Sequence, residues 1–205
     1  MKKKTTVSLS LIVALIAIIA GGTYAYFTDT TDKKENVFTV GNVDIELEEK
    51  WEEPDTVVPG KSYEKLPWIE NNGANDAWVR MRVTVSDAAA FEEAFNRHGI
   101  SDLSTVFGGH REQDWSRAEI VQNNDDTLTY IYNYRNVLPS KTSSWPIFDS
   151  VTLPAVFDNK DMKLLGDKFT ITVQADAIQA DGFADAEEAF VAFDETNEGS
   201  LKATK

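Results

Sequence analysis

Two histidines, His98 and His110, are the only imidazoles in the 205-residue chain, and there is no cysteine. Thiol catalysis and thiolate metal sites are therefore excluded. A zinc peptidase of the common kind needs two histidines one helical turn apart and a glutamate base. Here the histidines stand twelve positions apart, and Gly108-Gly109-His110-Arg111-Glu112 holds no second one. A site from His98, His110 and a carboxylate such as Glu112 or Asp114 is conceivable, but nothing in the spacing demands it. A serine nucleophile needs an activating histidine held by a third group, and both histidines fall in an irregular region. Gly108-Gly109 lacks the following lysine and hydroxyl residue of a phosphate loop. Glu46, Glu48, Glu49, Glu52, Glu53 and Asp55 offer oxygen ligands without calcium-loop spacing, as does Asn123-Asn124-Asp125-Asp126, so both read as solvated faces. The expectation is a chain with no catalytic residues, no metal and no cofactor.

The N-terminus carries a different kind of chemistry, that of a processing substrate. Lys2, Lys3 and Lys4 precede an apolar run from Leu9 to Ala20, and Gly21-Gly22-Thr23-Tyr24-Ala25-Tyr26-Phe27-Thr28-Asp29 follows. A basic region, an apolar core and small residues are the order of an export signal. The core is about half the length that spans a bilayer comfortably. Thr23 and Ala25 suit shallow peptidase pockets, which places the cut between Ala25 and Tyr26. An uncleaved anchor is the alternative. Removing three lysines leaves 17 basic against 34 acidic residues, a net charge of −17. That charge repels nucleic acid and anionic membrane surfaces. The expected location is secreted or cell-surface, with membrane contact only before processing.

The mature chain alternates apolar and polar residues over short stretches separated by turns. Val37–Leu47 reads as a strand, followed by an acidic loop over 48–55 and a Val58-Pro59-Gly60-Lys61 turn. Tyr63–Ile69 and Trp78–Val85 read as strands. In the latter, Trp78, Arg80, Arg82 and Thr84 face one way and Val79, Met81, Val83 and Val85 the other. Asp87 is placed to cap a short helix burying Ala88, Phe91, Ala94 and Phe95. Residues 96–109 read as loop. Trp115–Val121 and Thr127–Tyr134 read as a hairpin, with further strands at Trp145–Leu153 and Lys168–Ala177 and a helix over Ala184–Ala192. The pattern predicts an all-β, antiparallel β-sandwich with short helices on connections. The organisation is a signal peptide over 1–25, a mature N-terminal segment over 26–40, a sandwich over 37–194 and a flexible tail over 195–205.

The Gly21–Asp29 junction resembles the signals cut by a dedicated signal peptidase in the TasA and camelysin family. Asn36-Val37-Phe38-Thr39-Val40-Gly41-Asn42-Val43-Asp44 is similar to that family's N-x-F-x-x-G-x-x-D start. Val58-Pro59-Gly60 and Asn71-Asn72-Gly73 resemble its later turns. Phe148–Pro154 and Val173–Phe183 resemble related exported proteins of Gram-positive anaerobes. The resemblance implies a jelly-roll-like sandwich at the cell surface or in the biofilm matrix. It also implies fibre subunits in which the mature N-terminal segment adds a strand to a neighbour. Camelysin-like members carry a metallo-endopeptidase label.

Residues 26–40 suit such a donor, with Tyr26, Phe27, Val37, Phe38 and Val40 as pocket-filling side chains. A head-to-tail contact of this kind grows filaments, so the expected partner is another copy of the chain. The bland alternative is a leader into the first intramolecular strand. Adhesion to carbohydrate or protein, through Trp51 or another aromatic among the five tryptophans, is the competing function.

Overall fold

The computed structural model describes residues 42–166 and 169–202, with side chains described through 196. Eight strands form two antiparallel four-stranded sheets. The first comprises β1 (Ile45–Trp51), β2 (Tyr63–Asn71), β7 (Ser150–Val151) and β4 (Phe107–Gly108), in that order. The second is ordered β5 (Glu119–Gln122), β6 (Leu128–Asn133), β3 (Ala77–Val85) and β8 (Ile171–Gln179). Their inner faces share one apolar core, which makes the fold a β-sandwich.

The centre of the core comes from the alternation in β3. Val79, Met81, Val83 and Val85 are fully buried, opposite Tyr132, Tyr130 and Leu128 of β6 and Ala177 to Ile171 of β8. Ile69 of β2 and Phe107, Phe148 and Val151 complete it from the other sheet. The Phe107 ring stacks on Phe148 and meets Tyr130 edge-on, with centroids 4.9 and 5.2 Å apart. Helix α1 (Ala88–Asn96) buries Ala88, Phe91, Ala94 and Phe95, as its spacing predicts.

Several boundaries differ from the sequence reading. Asp87 sits in the left-handed region at φ 51° and makes no side-chain cap. The hairpin turn supplies the cap instead: Ala88 N–H donates to the Asp126 carbonyl and Ala89 N–H to Asp126 Oδ1. The acidic stretch after Leu47 is not all loop, because β1 stays in register with β2 to Trp51↔Lys65. Lys65, buried on the inner face, makes this possible. Its ammonium lies 2.6 Å from Glu49 and 4.8 Å from the Trp51 ring centroid. Within 96–109 a 3₁₀ turn over Leu103–Val106 leads into β4. Of Trp145–Leu153 only Ser150–Val151 is ladder strand, since Pro146 has no N–H to give. Helix α2 (Asn159–Leu165) was not expected. A capping box starts it, with the Asp158 side chain accepting from Lys160 and Asp161 N–H and Asp161 accepting from Asp158 N–H. Helix α3 begins at Ala186 and continues past Asp194 to Lys202.

Candidate functional site

The two edge strands β1 and β8 approach each other within 8 Å but share no ladder. Among the described residues β1 pairs only with β2, and β8 only with β3. A seam therefore runs along one side of the sandwich, with an unpaired backbone edge on each lip. Its lining is apolar. Val43, Ile45 and Leu47 on one lip, and Ile171, Val173, Ala175 and Ala177 on the other, pack against the core yet stay only partly buried. Their ladder partners Ile69, Val79, Met81, Val83 and Val85 are fully buried. Side chains shaped for the interior thus lie partly open along the two longest edges.

The seam's position is fixed from outside by an ionic clasp. Arg80, on the outer face of β3, is 4 % exposed. Its Nε donates to Asp176 of β8 at 2.6 Å, and its two terminal nitrogens donate to Asp194 of α3 at 2.8 and 2.5 Å. The guanidinium also lies 4.5 Å from the Phe190 ring centroid. Burial works against the Arg80 charge, but Asp194 and Asp176 more than offset it and raise its pKa. The Arg80 hydrogen bonds hold Asp194 below the usual carboxylate range. Arg82 joins Asp176 from the solvent side. Trp78, Ala186, Ala189 and Phe190 form a small apolar cluster beneath the helix.

The histidines do not converge. His98 Nε2 lies 2.8 Å from Asp161 Oδ2, and Arg97 lies 2.9 Å from the other Asp161 oxygen, which ties α1 to α2. Burial opposes the Asp161 charge. The Asp158 N–H, His98 and Arg97 outweigh it and lower the Asp161 pKa. His110 has both ring nitrogens against carbonyl oxygens, Nδ1 at Ile147 (3.2 Å) and Nε2 at Ser116 (3.1 Å). That leaves it no free lone pair directed at a common ligand position. Among the described residues no three histidine, aspartate or glutamate side chains could hold a metal ion together. The donor set does not fit a zinc centre. Glu112 and Asp114 instead serve the loop: the Glu112 carbonyl accepts from Arg135, and the Asp114 carboxylate from Arg111.

The cleavage residues Thr23, Ala25 and Tyr26 lie outside the described residues, as do the assembly residues Tyr26, Phe27, Val37, Phe38 and Val40. The sequence reading missed the seam and the clasp. The half-apolar alternation of β8 was visible, but which strands become edges depends on topology. The sequence reading ends the helix at Ala192, short of Asp194, although Phe190 and Phe193 on the Arg80 side of the helix are a usable signal. Among the described residues no helix is long and apolar enough to cross a membrane.

No curated protein and no solved structure matches the chain. A family model described as camelysin metallo-endopeptidase matches residues 1–105. The match takes in the N-terminal junction and, within the sandwich, β1 to β3 and α1. It covers just over half of the sequence, and the chain belongs to the camelysin family.

Proposed function

We propose that the protein is an exported, non-catalytic structural subunit of the cell surface or biofilm matrix, joining copies by N-terminal strand addition. The observation that carries this reading is the seam between β1 and β8, where an apolar lining is matched to unpaired backbone edges. The free side of β8 offers nine residues of backbone to an incoming strand. Alternate side chains of that strand would meet Ile171, Val173, Ala175 and Ala177 on the inner side. Residues 26–40 of a second copy offer apolar side chains to that row, Phe38 and Val40 on one face of an extended segment and Val37 on the other, with Phe27 beyond a polar stretch. A contact between different donor and acceptor surfaces is head-to-tail and grows an open filament unless its rotation closes a ring. The net charge of −17 after processing opposes the contact, so added salt favours assembly.

The family description names a metallo-endopeptidase, but among the described residues no three histidine, aspartate or glutamate side chains stand together as a zinc centre would need. Purified processed protein is expected not to hydrolyse casein with or without zinc. Activity that survives purification and vanishes in a His98→Ala/His110→Ala variant overturns the non-catalytic reading. Assembly is tested by electron microscopy of the processed chain beside a form lacking residues 26–36. Filaments from the first alone support strand addition. Monomers across salt and concentration remove it, and equal filaments from both forms place the interface elsewhere.

A further inference from the structure

The outer face of the β1-β2-β7-β4 sheet carries a tryptophan that folding does not explain. Trp145 is 56 % exposed, while its neighbours Ser144 and Ile147 are buried. It lies in a segment running antiparallel beside β2, where Ser144 N–H donates to the Ile69 carbonyl and Ile147 N–H to the Pro67 carbonyl. Those two bonds flank Trp68. Trp68 is the outward residue between buried Pro67 and Ile69, and its Nε1 donates to Glu70 at 3.2 Å. On the other side Trp68 stands opposite Glu48 of β1. Glu48, Trp68 and Trp145 thus form a row across three neighbouring chain segments, roughly 10 Å long at the usual strand spacing. The Arg111 guanidinium, 4.6 Å from the Trp145 ring centroid, closes its end.

The row is held from below by part-buried polar contacts. The Trp145 carbonyl accepts from Nε1 of fully buried Trp115 at 3.0 Å and from the Ser144 hydroxyl at 3.1 Å. Arg111 N–H donates to the Ile147 carbonyl, and Arg111 Nε to Asp114 at 3.0 Å. His110 braces the same turn between the Ile147 and Ser116 carbonyls. An exposed aromatic fixed in this way loses little conformational freedom when a ligand arrives.

We infer that Trp145, Trp68, Arg111 and Glu48 form a carbohydrate-binding strip for an uncharged polysaccharide, crossing the strands of this sheet. Indole faces accept the apolar faces of sugar rings, and the flanking carboxylates and guanidinium hydrogen-bond hydroxyls. Glu48 and Glu70, on a chain of strongly negative charge, turn away anionic polymers. A proline-rich peptide, the other ligand for exposed tryptophans, docks in an aromatic-lined groove and is separated from a glycan by the test below. The strip lies on the opposite face of the sheet from the core and does not depend on strand addition.

The test is affinity gel electrophoresis of the processed protein in gels containing mixed-linkage β-glucan or hydroxyethylcellulose, with polygalacturonate as the anionic control. Retardation is expected in at least one neutral gel and not in the anionic one. Trp145→Ala removes a half-exposed ring and its contact with Arg111 but keeps the carbonyl that Trp115 uses, so its circular dichroism should match the parent and its thermal midpoint should fall only slightly. It is expected to weaken binding by at least about tenfold, as is Trp68→Ala, while Trp51→Ala should not. Four outcomes overturn the proposal: no retardation in either neutral gel, retardation by polygalacturonate alone, binding indifferent to both substitutions, or Trp145-dependent binding of a polyproline peptide with none to glycan.

Discussion

Removing Arg80 should cost far more than removing Asp194, the carboxylate to which it makes two of its three hydrogen bonds. Arg80→Ala leaves Asp176, whose side chain is 6 % exposed, with only the partly solvated Arg82 for compensation. Breaking a buried pair from one side costs about 3–5 kcal/mol where the remaining charge is left uncompensated, and here Arg82 offsets only part of that cost. The lost contacts with Phe190 and Phe193 add to this. Asp194 has two hydrogen bonds to Arg80, but its side chain is 52 % exposed. Solvent screens that pair, so Asp194→Ala costs only about 0.5–1 kcal/mol. With a urea slope of about 2 kcal/mol/M, the Arg80→Ala midpoint falls by about 2 M and the Asp194→Ala midpoint by about 0.5 M or less. Arg80→Lys keeps the charge but cannot bridge both carboxylates with a planar fork, and should fall between them. The assay is equilibrium urea unfolding followed by far-ultraviolet circular dichroism and tryptophan fluorescence. Equal midpoint shifts for Arg80→Ala and Asp194→Ala, or no shift for either, would refute the view of Asp176 burial as the source of the cost.

Acid should loosen both carboxylate anchors. Asp161 and Asp194 have folded pKa values below the ordinary 3.8, so their stabilisation is complete above that value and is lost as pH falls through the lower folded values. Their contribution to the thermal midpoint should therefore be constant from pH 7 to about 5 and decline below about 4, with a shallower acid slope in Asp194→Asn. Asp126→Ala should cost about 1–2 kcal/mol in urea unfolding by uncapping α1. Asp126→Asn should cost little, since asparagine keeps the acceptor and tolerates φ 59°. Gly73→Ala would place a Cβ 2.5 Å from the Asn42 carbonyl oxygen and 2.9 Å from Asp44 N, both backbone atoms just before β1. It should lower stability by about 1–3 kcal/mol in the same assay.

What was legible in the sequence was periodicity. The Trp78–Val85 alternation predicted which side chains of β3 turn inward, and the spacing of Ala88, Phe91, Ala94 and Phe95 predicted the buried face of α1. Both patterns are local and survive any topology that offers them a core. What failed required partners distant in sequence. Glu49 and Trp51 extend β1 because Lys65 lies opposite them, a pairing that the acidic run alone conceals. The cap of α1 comes from Asp126 in a hairpin turn, 37 positions beyond the donor Ala89, and not from adjacent Asp87. The α2 start was readable, since Asp158 and Asp161 have capping-box spacing, but the helix is too short to show a periodic face.

The same distinction bears on function. The tightly packed β3 lies between β6 and β8, so its backbone is satisfied on both sides and its apolar face is closed. Among the described residues β1 and β8 carry similar inward residues but pair on one side only, and their partial exposure follows from that position and not from a polar sequence. Evolutionary protection of an edge usually takes the form of inward charges, proline or a bulge. The inner row of β8, Ile171, Val173, Ala175 and Ala177, has none of these. An edge whose inner row is left apolar is an aggregation hazard unless something covers it, which is the physical support for the strand addition proposed above. The Arg80 clasp bears on the same edge: through Asp176 and Asp194 it ties β8 to β3 and α3.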